Sequence, residues 1–292
     1  MRKMVLSLIP FAALAFAGCN APSSSQSTDT GAPASASTAV AAKIASEVSG
    51  TITLGDSAHP LSANARLVIN LADISSTTDA GAAPLASKTS PAGAFPQPFT
   101  LSFDPAQVKP DDLYVVQATL TDGDRHYSMP IQAPVLTKGN ASTAVAIELV
   151  PEQTPGEKTL AAFTDVQKQL GAMKVSHGTK LDKDVSRGWQ LFRQDGQLKF
   201  IRELVDYGDK GFTSTDYAYR NGKPWVVVQQ TKASQDAKPS ATDRAGWDDS
   251  GKLVLKQHEV GGNVQVLDAD AAAKLQKQAL EILSTATGGK NK

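Results

Sequence analysis

In the C-terminal part of the chain, three residue pairs that reverse a strand stand between short apolar runs. Asp195-Gly196 separates Trp189-Gln-Leu-Phe192 from Leu198-Lys-Phe200, Asn221-Gly222 separates Tyr217-Ala-Tyr219 from Trp225-Val-Val-Val228, and Ser250-Gly251 separates Gly246-Trp247 from Leu253-Val-Leu255. Asp-Gly and Asn-Gly accept positive φ at both central positions of a two-residue turn, whose twist matches that of the flanking strands, so these pairs specify hairpins. Three hairpins in a row with no helical pattern between them predict a β-meander over 187–292. Three units are too few to define a repeat family.

The preceding segment, 47–150, also alternates with period two. Val48, Gly50, Ile52 and Leu54 form one such run. Others are Leu67, Ile69 and Leu71; Phe99, Leu101 and Phe103; Val116, Ala118 and Leu120; and Val145, Ile147 and Leu149. Each run has one apolar and one polar face. Turn residues such as Asp104-Pro105, Pro110-Asp111, Asp122-Gly123 and Gly139-Asn140 separate them. Strands at this spacing predict an antiparallel β-sandwich or small barrel. The chain is therefore expected to be mainly β, a sandwich followed by a meander, with α-helices flanking the second half.

One helix is expected in the linker, 151–186. Thr154-Pro155-Gly156-Glu157 orders an N-cap, a proline at the first helical position and a capping-box glutamate. Leu160, Phe163, Gln167 and Leu170 then recur at helical spacing, and Gly171 follows. A second helix closes the chain. It is capped by the acidic residues at 268 and 270, with Ala272, Leu275, Ala279 and Ile282 on one face.

The first twenty residues carry a different message. Arg2 and Lys3 precede an apolar run from Met4 to Phe16, then Ala17, Gly18 and Cys19. The run is shorter than the roughly 20 residues that span a bilayer, so 1–18 reads as a secretory signal and stays outside fold reasoning. The residues before Cys19 resemble a lipobox, from which Phe16 departs where leucine is usual. This resemblance implies a diacylglycerol on the Cys19 sulfur and a further acyl chain, such as palmitate, on its new amine. No other cofactor is expected. An ordinary signal, cut after Ala15 or Ala17, is the competing reading. Cys19 is the only cysteine and has no disulfide partner, which favours lipid. Asn20 stands where inner-membrane lipoproteins carry aspartate, so the expected location is the outer membrane, with the domains in the periplasm. Residues 19–46 form a tether, with no bulky apolar residue between Ala21 and Val40. Its flexible stretch of roughly 25 residues has an r.m.s. reach of about 25–30 Å.

Two resemblances to known families complete the layout. Three blocks, in order, resemble the YbaY/YscW family of lipoproteins over 47–150. They are Leu61-Ser-Ala-Asn-Ala-Arg-Leu-Val-Ile-Asn-Leu-Ala-Asp-Ile-Ser75, Pro98-Phe-Thr-Leu-Ser-Phe-Asp104 and Tyr114-Val-Val-Gln-Ala-Thr-Leu-Thr-Asp-Gly123. The turn Leu61-Ser-Ala-Asn64 differs from the Leu-Pro-Pro-Gly common in that family. The resemblance implies a small sandwich. In type III secretion members it also implies a pilotin, which helps a secretin ring reach the outer membrane. More faintly, 187–283 is similar to the YjaH type of uncharacterised lipoprotein, through Thr215-Asp-Tyr-Ala-Tyr219 and Gly251-Lys-Leu-Val-Leu-Lys-Gln-His-Glu-Val260. It implies no chemistry.

Catalytic and metal signatures are lacking in the sequence. His258-Glu259 opens like a zinc-protease motif, but Gly262 stands where the second histidine belongs. His59, His126 and His177 are scattered, and no Gly-x-Ser-x-Gly, Ser-x-x-Lys or phosphate loop occurs. Asp111-Asp112, Asp248-Asp249 and Asp268 with Asp270 lie at turns or caps, where aspartate serves the backbone. The expectation is a non-enzymatic protein with no catalytic residue and no metal. Loss of Arg2 and Lys3 takes the basic count from 29 to 27 against 29 acidic residues, a charge of about −2, and there is no basic patch for nucleic acid. The expected partners are membrane lipid, through Cys19, and a secretin or other outer-membrane protein. An alternative is a periplasm-facing ligand binder or inhibitor using Trp189, Trp225, Trp247, Tyr217 and Tyr219, for which core packing is the simpler explanation.

Overall fold

A computed structural model describes residues 45–55, 60–75 and 83–289. Cys19, the signal and most of the tether lie outside the described residues, as do His59 and the last three residues. Residues 44–292 form one compact unit. Among the described residues no helix is long and apolar enough to cross a membrane. The described residues are mainly β, with two sheets of eight strands and two α-helices among them.

The first half comprises β1 (Glu47–Leu54), β2 (Arg66–Asp73), β3 (Ala86–Pro91), β4 (Gln97–Ser102), β5 (Tyr114–Asp122), β6 (Arg125–Ser128), β7 (Ala133–Val135) and β8 (Val145–Pro151). They run in the order β3-β2-β5-β6-β8-β1-β4, with β7 beside β5. β8 pairs with both β6 and β1 and so joins the two layers. The alternating runs point inward as expected: Val48 and Ile52, Leu67 to Leu71, Phe99 and Leu101, Val116 to Leu120, and Ile147 with Leu149 share one core. The antiparallel sandwich has one parallel pair, β1 with β8, which the alternation could not foretell. Gly50 belongs to that pair. A Cβ there would overlap the Val145 carbonyl oxygen and crowd the Phe99 ring, so a backbone approach occupies the place of a side chain.

The second half begins with α1 (Pro155–Gln169). Thr154 caps it by accepting from the Glu157 amide, Glu157 accepts from the Thr154 amide in return, and a 3-10 turn, Leu170–Ala172, follows. Then come β9 (Lys174–Asp182), β10 (Val185–Gln194), β11 (Gln197–Asp206), β12 (Phe212–Arg220), β13 (Lys223–Lys232), β14 (Ala241–Trp247), β15 (Leu253–Val260) and β16 (Asn263–Val266), and lastly α2 (Ala269–Thr287). Every strand pairs antiparallel with its sequence neighbour, which is a complete meander. The expected turns are present, with φ of 51° and 79° at Asp195-Gly196 and 51° and 75° at Asn221-Gly222. β9 lies inside the stretch expected to be linker. It is an edge strand exposed along nearly its whole length, so it shows no apolar alternation.

The two helices cover opposite faces of the meander. Phe163 and Leu170 from the α1 segment pack with Phe192, Phe200, Ala218, Trp225, Val226 and Leu255. On the other face Ala272, Leu275, Ala279, Ile282 and Leu283 of α2 pack on Leu191, Ile201, Tyr217, Tyr219, Val227, Ala245 and Trp247. Burial on both faces explains the unbroken run Trp225-Val-Val-Val228, since alternation requires one wet face. α2 is fixed in place where the Tyr219 hydroxyl donates to the Ala279 carbonyl at 2.7 Å.

Candidate functional site

The five aromatic residues expected to form a binding surface do not share one. Tyr217 and Tyr219 are buried beneath α2, and burial next to the Glu203 carboxylate pushes both hydroxyls well above their ordinary pKa, so both remain donors. Trp189 is half-buried on β10, where its ring lies over Gly178 of β9 and fills the space a side chain would take. Tyr217 and Tyr219 serve packing under α2, and Trp189 packs on the exposed edge strand β9. Trp225 and Trp247 belong to the cores on opposite faces but come together at one end of the sheet.

There the β12–β13 turn, the β14–β15 turn and α2 enclose a cleft of about 520 Å³. Arg220, Asn221, Lys223 and Trp225 come from the first turn region, Trp247, Asp248 and Asp249 from the second, and Gln276 and Leu280 from α2. The Arg220 guanidinium lies 4.8 Å over the Trp225 ring and reaches across to Asp249, with Nη1 to Oδ1 at 2.8 Å. Asp248 is engaged in its own turn. It accepts from the Ser250 hydroxyl at 2.6 Å, the Ser250 amide at 2.9 Å and the Lys252 amide at 3.0 Å, and the Ser250 hydroxyl foremost holds its carboxyl below the ordinary range. Trp225 and Trp247 are 9% and 7% exposed, and among the described residues neither indole N–H finds a protein acceptor.

Other candidates are accounted for by structure. His258 sits on β15 and pairs with Asp243 of β14, Nδ1 to Oδ1 at 2.5 Å. Asp112 pairs with Lys109, and Asp268 caps α2 by accepting from the amides of Asp270 and Ala271. Among the described residues no group of three His, Cys, Asp or Glu is placed to hold a metal ion. One cluster went unread in the sequence. Glu203, 3% exposed, accepts from the Tyr217 hydroxyl at 2.6 Å and pairs with Arg187. Its run, Phe200-Ile-Arg-Glu-Leu-Val205, alternates with one charge on each face, so parity does not say which charge is inside.

The two halves meet at the same glutamate that closes the capping box. The Arg125 guanidinium, on β6, donates to Glu157 Oε1 at 2.5 Å and to the Glu152 carbonyl at 3.2 Å. Arg125 foremost lowers the Glu157 carboxyl below its ordinary range, despite an opposing effect of burial.

Comparison with known proteins follows this division into halves. Residues 43–149 match the family model of the type III secretion system lipoprotein chaperones (YscW). The three-block resemblance thus holds over the sandwich. Residues 176–290 match a second family model, described only as a protein of unknown function (DUF1481), and the fainter resemblance falls within it. A solved structure of an alternative pilotin from the type II secretion system of Vibrio cholerae is 21% identical to this chain. The alignment covers 37% of this chain and 96% of that one, with a TM-score of 0.33. No curated protein matches the chain.

Proposed function

We propose that the chain is an outer-membrane lipoprotein, acylated at Cys19, whose periplasmic β-sandwich binds a secretin or another outer-membrane protein and acts on it as a chaperone, without enzymatic chemistry. The supporting observation is the match of 43–149 to a family described as lipoprotein chaperones. The fold offers a means. β3 and β4 end the strand order, so each leaves one backbone edge without a strand partner among the described residues, where an extended segment of a partner could add. Each buried CH₂ of an acyl chain contributes about 0.8 kcal/mol and one chain alone holds only marginally, so two or more are needed for stable anchoring.

Two measurements test this reading. The Cys19→Ser form, released as a soluble protein, should enrich a secretin or a defined outer-membrane component from envelope extract. Recovery of no specific protein counts against partner binding. Metabolic labelling with fatty acid should mark the wild type and leave Cys19→Ser unlabelled and soluble. An unlabelled wild type would refute the anchor.

A further inference from the structure

β16, the last strand of the meander, has a second strand on one side only. It turns back from β15 through Gly261-Gly262, with φ of 59° and 83°, and pairs Asn263 with Val260 and Gln265 with His258. In a two-residue hairpin the residues next to the turn exchange hydrogen bonds, and bonded pairs then alternate along the ladder. The Leu267 amide continues that series by donating to the Lys256 carbonyl at 3.3 Å. The backbone N–H and C=O of Val264 and Val266 therefore point to the open edge, and among the described residues they have no partner. Their side chains are exposed as well, at 57% and 75%.

Open edges are normally guarded by charge, above all lysine. The opposite edge of this sheet, β9, carries Lys174, Lys180 and Asp182. No charged residue occurs from Val260 to Leu267, although 20% of the chain is charged. The ionisable neighbours on β15 are paired within the chain, Glu259 with Arg244 at 2.7 Å, His258 with Asp243 at 2.5 Å and Lys256 with Asp124 at 4.0 Å.

We infer that β16 pairs antiparallel with β16 of a second copy of this chain, across a two-fold axis at Gln265, and so joins two meanders into one continuous sheet. This register sets Val264 against the partner's Val266 twice and closes their outward backbone groups in hydrogen bonds. It sets Gln265, whose amide both donates and accepts, against itself. No like charges meet across the axis, and a foreign strand bearing charge finds no counter-charge there. Both chains use the same surface, so the assembly closes at two. A four-residue strand makes a small contact, so the dimer is weak, with a dissociation constant of about 100 µM. No residue of the sandwich takes part, and the pairing does not depend on the secretin reading.

The test uses the full chain carrying Cys19→Ser, in which an introduced cysteine is the sole thiol. Opposed residues of a pair that exchanges no hydrogen bonds lie about 4.5 Å apart between Cα atoms, within disulfide reach. Under mild oxidation at about 100 µM, Gln265→Cys should form a covalent dimer, and Asn263→Cys, which faces the partner's Leu267, roughly ten times less of it. Sedimentation equilibrium of the Cys19→Ser chain should show a mass rising toward twice that of the monomer. Val266→Lys, a substitution at a site 75% exposed, should hold the mass at one chain. A monomer up to about 500 µM, the outcome if the edge takes only a foreign strand, would overturn the pairing. So would masses beyond the dimer, equal cross-linking of Asn263→Cys and Gln265→Cys, or an unchanged mass in Val266→Lys.

Discussion

Gly50 shows how one position can carry a fold constraint that its residue type only hints at. In the alternating run it occupies an inward place, where an apolar side chain is expected, but the parallel approach of β8 fills that place with the Val145 carbonyl. Gly50→Ala should therefore cost about 3 kcal/mol, read as a lower denaturation midpoint with an unchanged m-value, because backbone atoms must move. A loss below about 0.5 kcal/mol would show that the strands part easily. Glu203 is the complementary case, a charge retained inside because two donors meet it. Tyr217→Phe removes one of them and leaves Arg187. The expected loss is about 1.5–3 kcal/mol, within the range for a hydrogen bond to a charged group, and an unchanged midpoint would mean the hydroxyl contributes nothing. Neither feature is legible in the sequence: Gly50 meets a strand remote along the chain, and parity does not say whether Arg202 or Glu203 faces inward.

Elements were legible where turn chemistry and burial agreed. The hairpins β10–β11, β12–β13 and β14–β15 follow from Asp-Gly, Asn-Gly and Ser-Gly between apolar runs, and α1 follows from its capping box. β3, β9 and β16 were not legible, since strands that stay mostly wet on both faces show no alternation. The cleft was half legible. Two of the five aromatics expected to form a surface line it, but only the packing of α2 and the proximity of two turns show which two. At the start of α1, the Arg125–Glu157 pair links stability to pH. The folded-state pKa of Glu157 lies below the ordinary 4.5, so its contribution is present above that value and is lost as pH falls through the folded pKa. Thermal melts across about pH 3 to 6 should rise with pH in the wild type, and Glu157→Gln should flatten that slope and lower stability at neutral pH. Parallel profiles would separate Glu157 from the acid response.

At the scale of the whole molecule, two β-rich halves with separate cores are joined through the start of α1, and Arg125 spans the joint. The sandwich matches the lipoprotein chaperones, and the meander adds a cleft at one end. In the proposed account the N-terminal tether lets both halves reach partners in the periplasm while lipid on Cys19 fixes them to the outer membrane. Its central claim is that lipid and sandwich together bring a secretin to that membrane. The most direct measurement is the distribution of a cognate secretin between inner- and outer-membrane fractions, in cells with the wild-type chain, with Cys19→Ser, or with no chain. The account predicts outer-membrane secretin only with the wild type, with the secretin retained at the inner membrane in the other two. Equal outer-membrane secretin in all three would contradict it.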